Sequence, residues 1–376
     1  MDVRIKNGIC PAGEAHLPPA KSEVIRAALL FALSGEAPER AVRGFDAPFC
    51  DDVYHALRAF SAPVPDVGES AALMRMLIPV LIEKRGEARL FARPRLMERG
   101  IFELERCLGA VALSGRGALY MRASLDRKEF DIDCSRSSQF FSGLVIALAG
   151  SGRECSIHAH GMVSAPYAAM TLRMAREFGA RIEGAGEEYR ILPAKYSSPE
   201  SITISPDRSA AAVFEAMNLF GGMVELPAGG DEQADSGFLR LAEKEDVSIR
   251  DCPDLAPVLA VAACRKMGET VIRGTARLRS KESDRESGTV RLINGLGGEA
   301  RVIDDGIAIT GRGGLKGGCI DPANDHRMAF AAAAAAMICA EPVVIRGAEC
   351  VNKSFPAFFG ELKRLCPEGG VTPILT

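Results

Sequence analysis

Apolar and polar positions along the chain form a block that recurs six times. Each copy contains an apolar, helix-like segment that ends in glycine or another small residue. The six segments are residues 26–35, 75–86, 140–152, 210–222, 255–268 and 327–340. A helix that is apolar on all sides is typical of a protein core, since a surface helix keeps one polar face. The pattern therefore predicts six buried helices.

A second, amphipathic helix follows each buried one, with a short strand-like run before it in most copies. These helices are predicted at residues 52–60, 102–108, 168–178, 237–247, 286–296 and 358–365. Each copy thus consists of strand, buried helix, strand, surface helix and strand, an α/β arrangement. The spacing between copies varies, which argues against a solenoid of identical repeats.

Two of the six copies are shortened at matching places. After the surface helix, copies two, three, five and six continue into a segment typical of a β-hairpin, whereas copies one and four have only residues 61–67 and about 248–252 there. The match between copies one and four indicates two groups of three. We therefore expect two similar domains, one formed by residues 20–226 and the other by 1–19 plus 227–376, with the active site in the cleft between them.

Composition limits the classes of function. The 376 residues are 47% hydrophobic and 25% charged, and the net charge of -3 predicts no general attraction to nucleic acid or to a membrane. The longest apolar run, residues 328–340, is too short to span a bilayer. Eleven cysteines without a CxxC pair, and no secretory signal, predict a cytoplasmic protein with reduced thiols.

Polar residues cluster where the buried helices begin. A helix N-terminus presents free N–H groups and partial positive charge, which suits phosphate and carboxylate ligands. Serine, aspartate and asparagine are also ordinary N-caps, so only the recurrence with lysine and arginine favours a binding site. If the helix starts converge, they bring together the cations Lys21, Arg26, Arg75, Arg95, Lys281, Arg285, Arg327 and Lys353. So many cations predict a substrate with several negative charges.

Asp254 and Glu282 are the notable carboxylates of this cationic set. We expect the positive field to lower their pKa values and to keep them ionised as proton acceptors. No glycine-rich phosphate loop, nucleophile elbow or HExxH motif is present, so we expect neither a metal nor an organic cofactor. His158 and His160 alternate on a predicted strand, but two histidines without a third ligand favour a structural role.

Ordered motifs over nearly the whole chain carry a family resemblance. They include LPPAKS at 17–22, GES at 68–70, RPRLMER at 93–99, SSQF at 137–140, SAPY at 164–167, PDLAP at 253–257, RSKESDR at 279–285, NDHRMA at 324–329 and KSFP at 353–356. With them the chain resembles the 5-enolpyruvylshikimate-3-phosphate synthase family. The resemblance implies two α/β domains, each with three βαβαβ-type units around a pseudo-threefold axis (an inside-out α/β barrel), with shortened hairpins in units one and four.

The resemblance also implies a reaction and its residues. The enolpyruvyl group of phosphoenolpyruvate would pass to the 5-hydroxyl of shikimate 3-phosphate through a tetrahedral intermediate, with Lys21, Asp254 and Glu282 as catalytic residues. Shikimate 3-phosphate would be bound by Lys21, Ser22, Arg26, Ser137, Ser138, Gln139, Ser164, Tyr167, Asp254 and Lys281. Phosphoenolpyruvate would be bound by Lys21, Ala71, Arg95, Gln139, Arg285, Arg327 and Lys353. These small anionic substrates would be its partners, and we expect a monomer.

Three departures from the family pattern leave alternatives open. Pro19-Ala20 replaces the usual Gly-Ser/Asp, Arg277 takes a position that is often asparagine, and Ala71 replaces a glycine. The Ala71 methyl predicts weaker inhibition by glyphosate. The first alternative is another enolpyruvyl transferase, such as the UDP-N-acetylglucosamine enzyme, in which Lys-Asn would be expected where this chain has Lys21-Ser22. The second is an inactive paralogue that binds substrate without turnover.

Overall fold

The computed structural model describes residues 1–46 and 48–374. The helices are α1 (Lys21–Leu33), α2 (Asp51–Leu57), α3 (Ala71–Arg85), α4 (Pro94–Arg99), α5 (Phe102–Leu108), α6 (Gln139–Leu148), α7 (Ala165–Glu177), α8 (Arg208–Leu219), α9 (Phe238–Ala242), α10 (Ala256–Arg265), α11 (Arg285–Gly295), α12 (His326–Ala335) and α13 (Phe358–Leu365). The strands are β1 (Asp2–Ile5), β2 (Ala12–Glu14), β3 (Glu87–Phe91), β4 (Leu113–Gly115), β5 (Ala118–Arg122), β6 (Glu129–Asp133), β7 (Cys155–His160), β8 (Arg181–Ala185), β9 (Glu188–Leu192), β10 (Met223–Glu225), β11 (Asp246–Ser248), β12 (Met267–Arg273), β13 (Glu299–Ile303), β14 (Gly306–Arg312), β15 (Gly318–Ile320), β16 (Val343–Ile345) and β17 (Val371–Ile374).

The six predicted buried helices are present as α1, α3, α6, α8, α10 and α12, and most of their residues are buried. The surface helices are present as α2, α5, α7, α9, α11 and α13. The fourth surface helix is shorter than predicted, because α9 ends at Ala242 and β11 begins at Asp246. No helix in the described part of the chain is both long and apolar enough to cross a membrane.

The chain divides into two compact units, and the division differs from the predicted one. One unit contains Pro19–Asp46 and Asp51–Ser205; the other is formed mainly by Met1–Pro18 and the chain from Pro206 onward. The predicted boundary after residue 226 is thus replaced by one at Pro206. The reason is packing: Val213 and Phe214 of α8 lie in the core that contains α10 and α12, and β10 pairs in parallel with β2.

Three four-stranded sheets share one topology. Their strand orders are β6-β7-β9-β8, β11-β12-β14-β13 and β15-β16-β1-β17. In each, a parallel pair is followed by two antiparallel pairings. Because β1 takes the third place in the last sheet, the N-terminal segment belongs to the unit of the C-terminal half. In the division of the chain into compact units, the N-terminal segment that contains β1 ends at Pro18.

The shortened copies lack the hairpin, as expected. Within the described residues no strand lies between α2 and α3, and β10 pairs only with β2 in a two-stranded sheet. After β11 the chain turns directly into α10. Arg277 holds this short connection, since its Nη2 donates to the carbonyl oxygen of Ile249 (3.0 Å) and to that of Arg250. Arg277 thus stabilises the short connection between β11 and α10.

Candidate active site

Asp254 lies in a short 3₁₀ turn directly before α10, with three cations around its carboxylate. Lys281 Nζ is 3.3 Å from Oδ1, Arg285 Nη1 is 2.8 Å from Oδ1, and Arg327 Nη2 is 3.4 Å from Oδ2. All four residues belong to one compact unit. The structure therefore brings together residues that lie far apart in the sequence.

The pKa of Asp254 reflects this surrounding charge. Burial on its own would raise the pKa, but Lys281, Arg327 and Arg285 outweigh it and hold the pKa well below its usual range. Burial lowers the pKa of Lys281, and the attraction of Asp254 offsets only part of that effect. The carboxylate is therefore ionised at neutral pH, as the sequence predicts.

Arg285 is the first residue of α11, and its side chain is only 1% exposed. Its Nε and Nη2 donate to the two carboxylate oxygens of Asp325 at 2.9 and 3.1 Å, and Nη2 also donates to Glu282 Oε2 at 2.8 Å. Burial would lower the pKa of Arg285, but the carboxylates of Asp325, Glu282 and Asp254 raise it. Arg285 is thus a fixed cation that holds Glu282 and Asp254 on either side.

Arg327 and Lys353 complete this cluster. Asp325 caps α12 by accepting from the Arg327 backbone N–H at 2.9 Å, and Arg327 Nη1 donates to the Ser209 carbonyl oxygen at 2.9 Å. Lys353 Nζ lies 3.9 Å from Glu282 Oε1. Glu282 therefore lies between two cations, Arg285 and Lys353.

Two buried aspartates of the cluster have no role in the sequence prediction. Asp325 is fully buried and binds Arg285. Asp235 is also fully buried and accepts a hydrogen bond from the Ser209 hydroxyl; burial, reinforced by the nearby Asp254 charge, raises its pKa to about 6. The motif that contains Asp325 could have suggested it, whereas Asp235 lies in a short 3₁₀ helix outside every motif of the sequence prediction.

In the other unit, Lys21 is the first residue of α1, and its Nζ lies 3.0 Å from Asp52 Oδ2. Asp52 is buried and was not predicted. The next residue of the motif, Ser22, uses its carbonyl oxygen to accept a hydrogen bond from Arg26 Nη1 at 2.7 Å. Asp52 thus orients the Lys21 ammonium at the start of the helix.

Arg26 is buried inside a polar network. Its Nε donates to Thr171 Oγ1 at 2.7 Å, and its Nη2 donates to the Tyr167 carbonyl oxygen at 3.1 Å and to Ser142 Oγ at 3.5 Å. Burial lowers the pKa of Arg26 to about 10, against the opposing influence of Tyr167 and Glu23. The side chain stays cationic at neutral pH, and most of its N–H groups already bind protein atoms.

The predicted phosphate-binding serines lie at the starts of α6 and α7. Ser137 Oγ accepts from the Gln139 backbone N–H at 3.2 Å, and Ser138 Oγ donates to the Ser164 carbonyl oxygen at 3.3 Å. Ser164 has a φ of 54°, in the left-handed region, directly before α7. The structure thus brings these serines together.

The other predicted phosphoenolpyruvate residues of this unit lie on α3, α4 and α6. Gln139 Oε1 accepts from Arg75 Nη1 at 3.0 Å, and Ala71 is the buried first residue of α3. Arg95 lies on α4 and pairs with Glu98 at 3.1 Å, with 43% of its side chain exposed. Arg95 is therefore the most exposed of these side chains.

Comparison of the sequence with those of known proteins identifies the family of this chain. A family model described as EPSP synthase (3-phosphoshikimate 1-carboxyvinyltransferase) matches residues 50–242 and 228–362. The chain is 32% identical over 329 residues to the 3-phosphoshikimate 1-carboxyvinyltransferase of Clostridium acetobutylicum, covering 80% of this chain and 77% of that protein. It is 31% identical over 399 residues to that of Thermococcus kodakarensis, covering 94% and 97%.

Solved structures give the same result for the fold. EPSP synthase from Acinetobacter baumannii superposes with a TM-score of 0.76 at 21% identity, over 99% of this chain and 100% of that one. The enolpyruvyl transferase NikO from Streptomyces tendae gives a TM-score of 0.69 at 16% identity, over 99% and 98%. The fold is therefore the two-domain enolpyruvyl transferase fold. Within that class, the chain belongs to the EPSP synthase family of transferases.

Proposed function

We propose that this protein transfers the enolpyruvyl group of phosphoenolpyruvate to the 5-hydroxyl of shikimate 3-phosphate and releases phosphate. The observation that carries the proposal is the ionised Asp254 held among Lys281, Arg285 and Arg327, with Glu282 on the same arginine. Such a reaction needs a base for the hydroxyl, an acid for the methylene carbon and fixed cations for the substrate anions. The cluster contains all three.

Asp254 takes the proton of the 5-hydroxyl. In the absence of substrate its pKa is too low for an efficient base, because the three cations stabilise the carboxylate. The substrate phosphate at Lys281 and the substrate anions at Arg327 neutralise part of that positive charge. Their binding therefore raises the pKa of Asp254 and makes the carboxylate a stronger base only when both substrates are present.

Glu282 and Lys21 handle the other proton transfers. Glu282 lies between Arg285 and Lys353, and with Lys21 it protonates the methylene carbon as the hydroxyl oxygen attacks. The same groups then remove that proton and protonate the departing phosphate, which completes addition and elimination through the tetrahedral intermediate. No cofactor or metal enters this scheme.

The remaining residues bind and orient the substrates. Ser22 and Arg26 bind the shikimate carboxylate, and Gln139 and Tyr167 border the ring. The 3-phosphate is bound by Ser137, Ser138, Ser164 and Lys281. The charges of phosphoenolpyruvate are bound by Lys21, Arg95, Arg285, Arg327 and Lys353, and Ala71 packs against that substrate. We also propose that the protein is a monomer, and the eleven free thiols support a reducing, cytoplasmic location.

The test is phosphate release from shikimate 3-phosphate plus phosphoenolpyruvate. We expect turnover by the wild type and a loss of about 10²-fold or more in Glu282→Ala, because general acid–base catalysis contributes on that order. Glu299→Ala, at an exposed ion pair, is the matched control and should keep wild-type turnover. Near-normal turnover of Glu282→Ala would overturn the role of Glu282. Substrate binding without phosphate release would instead favour an inactive paralogue, and turnover only with UDP-N-acetylglucosamine would favour another enolpyruvyl transferase.

A further inference from the structure

The outward face of the β6-β7-β9-β8 sheet carries two histidines that the proposed reaction does not use. His158 and His160 are partly exposed and alternate along β7 with the buried Ile157 and Ala159, so both imidazoles leave the same face. Their ring centroids are 4.0 Å apart. Two histidines on one strand are only part of a metal site, and the sequence offers no third ligand nearby.

The fold supplies the third ligand from the turn between β8 and β9. The Glu187 carbonyl oxygen accepts from the Ala159 N–H at 2.7 Å, and its carboxylate accepts from the Gly161 N–H at 3.0 Å. These two bonds fix Glu187 beside β7. One ligand atom each from His158, His160 and Glu187 lies within 4.8 Å of the others.

Each imidazole is already oriented by a second carboxylate. His158 Nδ1 is 2.5 Å from Glu188 Oε1, and His160 Nε2 is 2.9 Å from Asp131 Oδ2. A histidine that binds a metal usually donates its other ring N–H to a carboxylate in this way, which sets the tautomer and increases the basicity of the ligand nitrogen. Glu188 and Asp131 therefore leave the second nitrogen of each ring for an ion.

We propose that His158, His160 and Glu187 bind a divalent transition metal of the Zn²⁺ type, with water completing its coordination. Two imidazoles and one carboxylate are a donor set that Zn²⁺ accepts in open sites. The ligand side chains are partly or fully exposed, so small rotations can shorten their separations to the roughly 3.4 Å that tetrahedral bonds of about 2.1 Å require. A cavity of about 830 Å³ lies beside one of the three ligands and is lined in part by His158, Glu188 and Asp131.

Such an ion would link β7 to the β8–β9 turn and stabilise this sheet. Because a ligand that binds only the folded state raises its stability, added Zn²⁺ should raise the melting temperature. Since this face is built from residues outside the proposed catalytic set, phosphate release should be independent of the ion. The ion is thus proposed as a structural one.

The test is titration of chelator-treated protein with Zn²⁺ by calorimetry and with Co²⁺ by visible absorption. The exposed thiols of Cys10 and Cys319 also attract such metals, so every protein carries Cys10→Ser and Cys319→Ser. Hydrogen bonding to Asp131 raises the pKa of His160, with the charges of Glu187 and Asp133 adding to it. Because a metal must displace the proton of an imidazole ligand, the titration is run at mildly alkaline pH.

We expect one equivalent to bind in this background, and affinity at least about 10-fold lower in His160→Gln and in Glu187→Gln. His16→Gln, at another exposed histidine, should bind like the background protein. The Zn²⁺-dependent rise in melting temperature should vanish in His160→Gln and Glu187→Gln only. The proposal is overturned if the background protein binds no ion, or if both ligand variants bind with unchanged affinity while melting normally without metal.

Discussion

Asp325 binds Arg285 through two N–H···O bonds of 2.9 and 3.1 Å, and the two side chains are 0% and 1% exposed. The planar guanidinium is therefore fixed in orientation, and its Nη1 points to Asp254 at 2.8 Å. A buried carboxylate that touches none of the proposed reacting atoms thus sets the position of the proposed base.

Arg285→Lys tests this relationship. Lysine keeps the charge but cannot bind Asp325 at two points while also reaching Glu282 and Asp254, so the buried carboxylates lose partners. We expect the free energy of unfolding to fall by about 3 kcal/mol, measured by urea denaturation, together with a lower kcat.

The matched control is Arg301→Lys, which alters an exposed pair with Glu269. That change should cost at most about 0.5 kcal/mol, because exposed ion pairs contribute little. If both variants lost the same free energy of unfolding, the fixed geometry of Arg285 would contribute nothing to stability.

Ala71→Gly tests the departure at the start of α3. The family's glycine leaves room that the Ala71 methyl fills, and relief of such overpacking is worth about 1 kcal/mol or more. We therefore expect the variant to be inhibited by glyphosate at concentrations about fivefold lower than the wild type in the phosphate-release assay. Ala72→Gly, one residue further along α3, should leave inhibition unchanged. Identical inhibition of wild type and Ala71→Gly would refute the steric explanation.

Glu215→Gln tests a half-buried carboxylate on α8. Burial raises the pKa of Glu215 to about 7, although Arg208 acts in the opposite direction. Above the ordinary pKa of 4.5, the folded state keeps a proton that the unfolded state has released. The free energy of unfolding therefore decreases as pH rises through this window, and the loss is complete above the folded pKa.

Glutamine carries no charge, so the variant should be more stable than the wild type by about 1 kcal/mol at about pH 8, and the advantage should disappear toward pH 4.5. Urea unfolding at several pH values measures the difference. The exposed Glu243→Gln is the control, with no such pH-dependent gain. A constant difference at all pH values would contradict the titration of Glu215.

The sequence predicts the parts of this protein that depend on local pattern. Apolar segments of helical length identify α1, α3 and α12, because burial on all sides leaves a clear compositional mark. The unit to which α8 belongs cannot be read in this way, since an apolar helix is compatible with either core. Only the pairing of β10 with β2 and the contacts of Phe214 decide it.

The candidate site also contains some residues that a local motif predicts and others that only folding brings into place. Residues within motifs, such as Lys281 and Glu282, were predicted because the motif itself carries the chemistry. Asp52 and Asp235 were not, because each matters only through a partner that folding brings near, Lys21 and Ser209 respectively. Glu187 likewise becomes a candidate ligand only through its backbone contact with β7.

The central place of β1 between β16 and β17 has a consequence for biosynthesis. The ribosome makes β1 before the whole of the other unit and makes β16 only after Pro342, so β1 has no partner strand in its sheet while the other unit is being made. The inserted unit is continuous apart from a short break and can fold on emergence, whereas the unit containing β1 is completed only after β16 and β17 have been made. Until then the two edges of β1 are exposed to pairing with other nascent chains, which makes this strand a natural point for chaperone protection.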